Sequence, residues 1–199
     1  MDKYGVGQDA YCYPDSDVLI NRLNIEAAEP LADAEREITV LAAEGIEFEP
    51  PPYDLSTLQS IHRRLFDDIY DWAGDIRTVD IAKGDTRFCT AQRIEPEAAK
   101  LFVQLADKQW LEGLSRENLI QELADLYGEL NMLHPFREGN GRAQRLFFEF
   151  LVINAGYEIS WQAVSEQEWL DANIQSALGC DASGLAAIFE TCVGEAIKA

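Results

Sequence analysis

The sequence predicts an all-α fold, a helical bundle that carries one short β-hairpin. Apolar residues recur every three or four positions through most of the chain, which is the period of an amphipathic helix. Residues that favour helix starts and stops bracket these segments, and only one short stretch favours extended chain. With 47% hydrophobic residues among 199, the chain can bury one substantial core. We therefore expect a single domain over residues 1–199.

The first third of the chain is predicted to hold two helices and a stiff link. Residues 1–50 form an N-terminal lead and a first helix over about 31–44. Three prolines at 50–52 separate this part from a core over residues 51–190. From Asp54, a good N-cap, apolar residues recur until Gly74. This pattern indicates one long amphipathic helix.

The short extended stretch predicts the hairpin. Residues 76–81 are rich in β-branched side chains, residues 83–86 contain turn formers, and residues 87–89 can return as a second strand. An isolated hairpin is marginally stable in water. We therefore expect this segment, over about 75–90, to lie on the helices as a flap.

Helical periodicity resumes after the hairpin. Proline favours the first turn of a helix, serine and aspartate are good N-caps, and glycine often follows the last turn. These signals predict helices over residues 95–111, 115–133 and 140–155, a helix opened by a capping box at 165–168, and a last helix capped by Asp181.

The charge of the chain argues against two classes of partner. Sixteen basic and thirty-six acidic residues give a net charge of -20, which opposes non-specific contact with nucleic acid or an anionic membrane. We expect no direct nucleic-acid binding and no membrane association. A solvated surface explains the acidic excess better than a docking face for a basic partner, although the charge alone does not decide between them.

Cysteine and histidine usage argues against a zinc site or a disulfide framework. The four cysteines show no CxxC spacing, and the two histidines, His62 and His134, lie far apart in sequence. No apolar run is long enough to span a bilayer, and the first residues do not resemble a secretory signal. We therefore expect a cytoplasmic protein.

Residues 134–145 read His-Pro-Phe-Arg-Glu-Gly-Asn-Gly-Arg-Ala-Gln-Arg. Apolar residues flank this string at helical spacing, so it is predicted to be a loop that opens a buried helix. The backbone N–H groups of Gly139, Asn140 and Gly141 would then form a phosphate-binding nest at the helix N-terminus. Arg142 and Arg145 are three residues apart, so they share a helix face from which both guanidinium groups can grip phosphates. The string predicts an anion-binding loop.

Two further residues of the string supply chemistry. Glu138 beside a phosphate nest suits Mg²⁺, which takes one or two protein carboxylates and completes its shell with phosphates and water. His134 has the side chain whose ordinary pKa suits a general base at neutral pH. Together with the nest and the arginines, these residues predict catalysis on a nucleoside triphosphate.

The string also matches every fixed position of HxFx(D/E)GNGRxxR, the signature of the Fic family, and the chain resembles a Fic-domain protein over about residues 50–190. The likeness includes residues 62–66 and 72–77, together with Lys83 and Phe88. It implies transfer of AMP from ATP to a hydroxyl side chain of a protein, with release of pyrophosphate. The implied roles are the base for His134, the Mg²⁺ ligand for Glu138, the anion hole for residues 139–141, and contacts to the β- and γ-phosphates for Arg142 and Arg145.

The resemblance extends to target and nucleotide contacts. In the family the flap pairs with the target backbone as an added strand, which implies target docking at Ile81, Lys83 and Phe88. A solvated turn lysine explains Lys83 equally well. Asn173 lies on the helix that lines the adenine pocket in related proteins. His62 is expected to be structural.

Many Fic proteins are restrained by a helix that bears (S/T)xxxE(G/N). Residues 40–45 and 191–196 are the nearest approaches, and neither is a full copy. We therefore expect inhibition from outside the chain. Residues 4–7, 11–14 and 22–25 resemble the toxin subgroup, which is paired with a small antitoxin protein carrying the inhibitory helix. Targets in that subgroup include the ATPase subunits of DNA gyrase and topoisomerase IV.

Two alternatives stay open. A Fic enzyme can transfer another phosphate-linked group, such as UMP or phosphocholine, although an arginine pair suited to a triphosphate argues against this donor. The chain can also be a module that binds a nucleotide or a partner without turnover. Glu138 stands where aspartate is the commoner residue, and this is the one departure that favours such a module.

Overall fold

We describe the chain from a computed structural model, which covers residues 2, 3 and 9–198. Residues 4–7, part of the likeness to the toxin subgroup, lie outside this description. The described part contains the following helices: α1 Ala28–Glu44, α2 Leu55–Phe66, α3 Ile94–Asp107, α4 Arg116–Leu133, α5 Asn140–Asn154, α6 Glu166–Gly179 and α7 Ser183–Cys192. Its strands are β1 Asp2–Lys3, β2 Ile81–Lys83, β3 Thr86–Arg87, β4 Tyr157–Ile159 and β5 Val193–Ala196. The predicted all-α class is confirmed.

Helix α2 begins as predicted and ends early. The Asp54 carboxylate accepts from the N–H of Thr57 at 3.1 Å, and the Thr57 hydroxyl accepts from the N–H of Asp54, which closes a capping box. The helix ends at Phe66, so the prediction of one helix to Gly74 was wrong. Residues 67–73 form successive turns whose apolar side chains still point into the core. Turns bury a side chain every three or four residues, as a helix does, so the apolar spacing does not distinguish the two.

The predicted hairpin is present as β2 and β3, with a turn at Gly84 and Asp85. Strand β1 pairs antiparallel with the other edge of β2, with Lys3 opposite Ile81, so β2 is the central strand of three. A second small sheet, which was not predicted from the sequence, joins β4 to β5. Strand β5 reads Val-Gly-Glu-Ala, and three of these residue types are depleted in strands.

Most capping signals of the later helices are confirmed, with small shifts in the ends. Ser115 caps α4, and Ser165 and Glu168 form the capping box of α6. The carboxylate of Asp181 accepts from the N–H of Ser183 in the first turn of α7, but the N-cap residue of this helix is Ala182, not Asp181 as predicted. Helix α3 ends at Asp107, not at 111 as predicted, and residues 109–111 form a short 3₁₀ turn.

Helix α5 lies at the centre of the bundle. Its buried side chains pack between α2 and α4, and Phe147, Phe148 and Leu151 are fully excluded from solvent. Each such side chain contributes on the order of 2 kcal/mol through burial. The loop at 134–139 joins α4 to α5, so two buried helices fix both of its ends. No helix among the described residues combines the length and the apolar character that a membrane span requires.

Candidate active site

His134 ends α4 in the left-handed backbone region, with φ at 46°. Its Nδ1 lies 2.9 Å from the carbonyl oxygen of Asn131. A carbonyl only accepts, so Nδ1 carries the proton and Nε2 keeps a free lone pair. This Nε2 is buried and has no hydrogen-bond partner among the described residues. The ring is thus held in the tautomer that a general base requires.

Phe88 of the flap covers this ring. The phenyl and imidazole planes are 19° from parallel and their centroids are 3.8 Å apart. Burial is the main cause that lowers the pKa of His134 to about 3, and the positive charges of Arg77 and Lys83 act in the same direction. His134 is therefore neutral at pH 7 in the ligand-free protein.

Arg77 joins the flap to the end of α4. Its Nε donates to the carbonyl of His134 at 2.8 Å, and its Nη1 donates to the carbonyl of Val79 at 2.6 Å. Its Nη2 donates to the carbonyl of Cys89. The guanidinium group is buried, so it fixes the flap and the backbone of His134 with respect to each other. In the sequence, Arg77 is marked only by its place in the family likeness, so this role was not predicted.

The motif loop closes on itself through Asn140. The side-chain amide of Asn140 accepts from the N–H of Phe136 at 2.9 Å and donates to its carbonyl at 2.8 Å. The Asn140 side chain therefore holds the loop closed, and its backbone N–H remains at the open start of α5. Gly139 has φ at 78° and lies against Phe66, where an added Cβ would come within 2.3 Å of a ring carbon. A Cβ on Gly141 would meet no atom within 4 Å. The start of α5 is therefore packed on one side and open on the other.

Glu138 and His62 meet at the base of the loop. The Nδ1 of His62 accepts from the N–H of Gly74, so its Nε2 carries the proton and donates to the carbonyl of Glu138, both at 2.9 Å. The ring stacks on Phe136 at 3.9 Å between centroids. Burial is the main cause that lowers the pKa of His62 to about 3. His62 therefore positions the loop, as its predicted structural role requires.

Glu138 offers a single carboxylate for a metal. One of its oxygens accepts from the N–H of Gly139 at 2.8 Å. The described residues contain no group of three or more His, Cys, Asp or Glu side chains arranged around a metal position. A protein that supplies one carboxylate and leaves the other positions to phosphates and water fits Mg²⁺ better than a fully protein-bound metal.

The two motif arginines have different surroundings. The Nη2 of Arg142 lies 2.5 Å from Oε2 of Glu35, a residue of α1, and its Nη1 donates to the Thr39 hydroxyl at 3.3 Å. Arg145 is half-buried and forms no ion pair within the part of the chain that the structure describes. Both arginines open α5, but only Arg142 is already held by a carboxylate.

Two acidic partners of the motif were not predicted from the sequence. Glu35 pairs with Arg142, and Asp9 pairs with the buried Arg137 at 3.0 Å. Glu35 carried a usable signal, because it lies one turn from Leu31 and one turn from Thr39 on the buried face of α1. A carboxylate on a buried helix face requires a partner. Asp9 precedes the first helix and carried no comparable signal.

The three predicted docking residues of the flap differ in exposure. Ile81 is buried, Phe88 lies on His134, and Lys83 is exposed. Because β1 occupies one edge of β2, the outer edge of this sheet on the hairpin side belongs to β3. An approaching strand would therefore meet β3, or replace β1.

Asn173 lies on α6, which contacts both α4 and the flap. Its Nδ2 donates to the carbonyl of Trp169 at 2.7 Å, while its Oδ1 is buried without a partner among the described residues. A groove of about 970 Å³ runs beside the flap and is lined on α6 by Ser176 and Ala177, one turn beyond Asn173. Asn173 itself does not line this groove.

Comparisons with known proteins agree with this arrangement. A model of the Fic/DOC family matches residues 52–152. The Probable protein adenylyltransferase Fic of Salmonella typhimurium is 48% identical and covers 98% of this chain and 97% of its own length. The protein of the same name from Escherichia coli is 46% identical over the same shares.

Solved structures show the same fold. The crystal structure of BepC, a VirB-translocated Bartonella effector protein from Bartonella tribocorum, has bound AMPPNP. It superimposes with a TM-score of 0.87 at 27% identity, covering 94% of this chain and 97% of that chain.

Fold and site define a helical protein in which a glycine-rich loop opens a buried helix beside a buried, neutral histidine. With the family match and the nearly full-length relatives, the chain belongs to the Fic/DOC family.

Proposed function

We propose that this protein adenylyltransferase transfers AMP from ATP to a hydroxyl side chain of another protein, as the toxin of a toxin–antitoxin pair. The observation that carries the transfer is the free Nε2 lone pair of His134, five residues before the amide nest that opens α5. A base next to a phosphate-binding nest can deprotonate a nucleophile where a phosphate is held. The relatives named as protein adenylyltransferases support the same class of reaction.

The transfer requires one proton movement and one displacement. The Nε2 of His134 accepts the proton of the target hydroxyl, and the hydroxyl oxygen attacks the α-phosphorus of ATP. The bond between this phosphorus and the oxygen that bridges to the β-phosphorus breaks, so pyrophosphate leaves and AMP stays on the target. The negative charge of the triphosphate raises the pKa of His134 from its ligand-free value, which makes the ring a stronger base when ATP is bound.

The nest and the arginines bind the phosphates. The backbone N–H groups of Gly139, Asn140 and Gly141 lie at the start of a fifteen-residue helix, and in the ligand-free protein that of Gly139 donates to the Glu138 carboxylate. Arg145 is available for the outer phosphates because no described carboxylate pairs with it. Arg142 joins it on the same helix face. BepC with bound AMPPNP supports a nucleoside triphosphate as the ligand.

Mg²⁺ is the proposed cofactor, and Glu138 is its proposed protein ligand. The second carboxylate oxygen of Glu138 has no hydrogen bond in the described structure, so it is free to coordinate a cation. When bound, the ion would neutralise part of the charge of the outer phosphates. Asn173 and the flap residues Ile81, Lys83 and Phe88 are the proposed contacts to adenine and to the target.

The toxin role rests on the sequence likeness and on the lack of a complete inhibitory motif. Glu44 and Glu195, the glutamates of the two nearest approaches to that motif, are exposed at the surface. We propose that a small antitoxin protein supplies the inhibitory helix in the cytoplasm. The proposed targets are the ATPase subunits of DNA gyrase and topoisomerase IV.

The first experiment follows the label. Purified protein with Mg²⁺, candidate targets and ATP labelled at the α-phosphorus should give a labelled target, whereas ATP labelled at the γ-phosphorus should give none. The matched control is His134→Ala, which removes the base and retains the nest. If wild type and His134→Ala label equally, or if neither does, the proposed transfer is wrong.

Two further measurements separate the alternatives. Mass spectrometry of the modified target identifies the added group, and an added mass of UMP or phosphocholine would replace AMP as the transferred group. Tight ATP binding without any product would favour a binding module. Co-expression with the product of the neighbouring reading frame tests the antitoxin, because a stable complex that suppresses labelling is the expected result.

A further inference from the structure

We infer that Glu35, on α1, is a positioning residue that holds the Arg142 guanidinium group ready for the phosphates of ATP. The inference rests on the proposed function, because that function supplies the ligand. Helix α1 lies outside residues 52–152, the segment that the family model matches. A helix outside the matched segment therefore contributes to the phosphate site.

The Arg142 guanidinium group is held on three sides. Its Nη2 lies 2.5 Å from the Glu35 carboxylate, and its Nη1 donates to the Thr39 hydroxyl. Its flat face lies over the ring of Phe66, 4.6 Å from the centroid. The same ring packs against Gly139 of the nest. One aromatic ring thus supports both the arginine and the backbone that would bind phosphate.

Glu35 is itself fixed. It is 8% exposed, and the hydroxyl of Tyr70 donates to the carboxylate oxygen that does not face Arg142. Burial, followed by the charge of Glu35, raises the pKa of Tyr70, so this hydroxyl stays protonated and remains a donor. The Thr39 hydroxyl donates to the backbone carbonyl of Glu35 at 2.7 Å, which orients its lone pairs towards Arg142. The Glu35 carboxylate is therefore held in one position and can fix the Arg142 guanidinium group.

The remaining donors of Arg142 are left for a ligand. A guanidinium group has five N–H groups in a fixed plane, and Glu35 and Thr39 occupy only one on each of two nitrogens. A free arginine loses rotamer freedom when it binds phosphate, and a prior contact removes part of that loss. The charge of Glu35 is shared with Tyr70 and Arg142, which limits its repulsion of a phosphate. We therefore expect Glu35 to assist phosphate binding by holding Arg142 in place. The opposite possibility is that Glu35 competes with phosphate for Arg142.

The test compares ATP with AMP, since AMP lacks the outer phosphates. We expect Glu35→Ala to weaken ATP binding by about tenfold, the size of one charge-assisted hydrogen bond, and to change AMP binding by less than about twofold. The measurement is calorimetric titration of the full chain. Glu190→Ala is the matched control, because Glu190 pairs with Arg116 at 2.6 Å between α4 and α7 and lies in neither proposed site.

A double variant distinguishes positioning from general damage. If Glu35 acts through Arg142, Glu35→Ala should cause no further loss of ATP affinity in an Arg142→Ala background. Tyr70→Phe removes one hydrogen bond to the Glu35 carboxylate and should weaken ATP binding by about twofold. This variant tests the same inference if Glu35→Ala does not fold. Tighter ATP binding in Glu35→Ala, an equal loss of AMP, or additive losses would each overturn the inference.

Binding does not depend on transfer, so the two proposals fail separately. Selective loss of ATP affinity in Glu35→Ala, with no labelled target in wild type, would retain the positioning role and reject the transfer. A labelled target with unchanged ATP affinity in Glu35→Ala would retain the transfer and reject the positioning role.

Discussion

The phenyl ring of Phe88 lies flat against the imidazole of His134, with 3.8 Å between the ring centroids. The flap therefore covers the base that the proposed reaction uses. Arg77 holds the two parts together, because one guanidinium group donates to the carbonyls of His134 and Cys89. The protonation state of His134 thus depends on the position of the flap.

The first prediction concerns the pH dependence of Phe88→Ala. Removing the phenyl ring exposes His134 to water, and burial is the main cause of its low pKa. We expect the pKa of His134 to rise towards its ordinary value, because water that reaches the ring stabilises its protonated form. The acidic limb of the pH profile of kcat/KM for target labelling should therefore move to higher pH. Phe88→Leu, which keeps an apolar cover, should shift the limb less. An unchanged acidic limb in Phe88→Ala would contradict this account.

The second prediction compares two glycines of the nest. Gly139→Ala places a methyl group 2.3 Å from the ring of Phe66 at a residue with φ at 78°. It should therefore lower the free energy of unfolding by about 2 kcal/mol or more. Gly141→Ala meets no atom within 4 Å in a helix and should be neutral or stabilising by up to about 1 kcal/mol. Chemical denaturation measures both.

The same pair also tests where the ligand lies. Gly141→Ala should fold normally and still lose ATP affinity, because its new methyl group occupies the open side of the α5 N-terminus. Unchanged ATP affinity in a folded Gly141→Ala would place the phosphates elsewhere.

The loop between α4 and α5 and the caps of α2 and α6 could be predicted from the sequence because their signals are local. A glycine nest, an N-cap or a capping box depends on residues within one or two turns of each other. The pairing of Glu35 with Arg142 joins residues 107 positions apart, and its sequence signal shows only that Glu35 needs a partner. Nothing local identifies which arginine that partner is.

The flap shows the same limit. Its two strands carry a β signal, but the pairing of β1 with β2 joins chain segments almost 80 residues apart in sequence. The contact of Phe88 with His134 likewise depends on how the flap lies on the bundle. The end of α2 was mispredicted for a different reason, since turns and helices share the spacing of buried side chains.

The third prediction concerns His62→Phe. Phenylalanine keeps the stack on Phe136 but leaves the N–H of Gly74 and the carbonyl of Glu138 without the partners that His62 provides. Two unsatisfied buried groups should lower the free energy of unfolding by about 2–4 kcal/mol. If the loop is loosened as expected, kcat for labelling should also fall. His62→Gln, which keeps a donor and an acceptor, should recover part of both losses; equal losses in the two variants would argue against hydrogen bonding as the cause.

The fourth prediction is a loss of stability in mild acid. Both histidines have a folded pKa of about 3, below the value near 6.5 of an unfolded chain. The unfolded state therefore binds more protons between these values, and stability falls as the pH drops below about 6.5. Between pH 5 and 6 each histidine contributes a slope of up to about 1.4 kcal/mol per pH unit. His134→Asn should remove one such slope, as measured by urea unfolding across this window. An unchanged slope would mean that His134 is protonated in the folded protein.

The last prediction concerns the edge of the flap. A variant lacking residues 2–8 loses β1 and leaves the β2 backbone without the partner that covers its outer edge. An uncovered strand edge can bind an added strand. We therefore expect kcat/KM for the target protein to rise by about threefold, the effect of one extra net hydrogen bond, while ATP affinity stays unchanged. The variant retains Asp9, so the ion pair of Asp9 with Arg137 in the motif loop is preserved. A fall in target labelling with normal ATP binding would show instead that β1 supports the flap, because the flap would then need its third strand to hold Phe88 on His134.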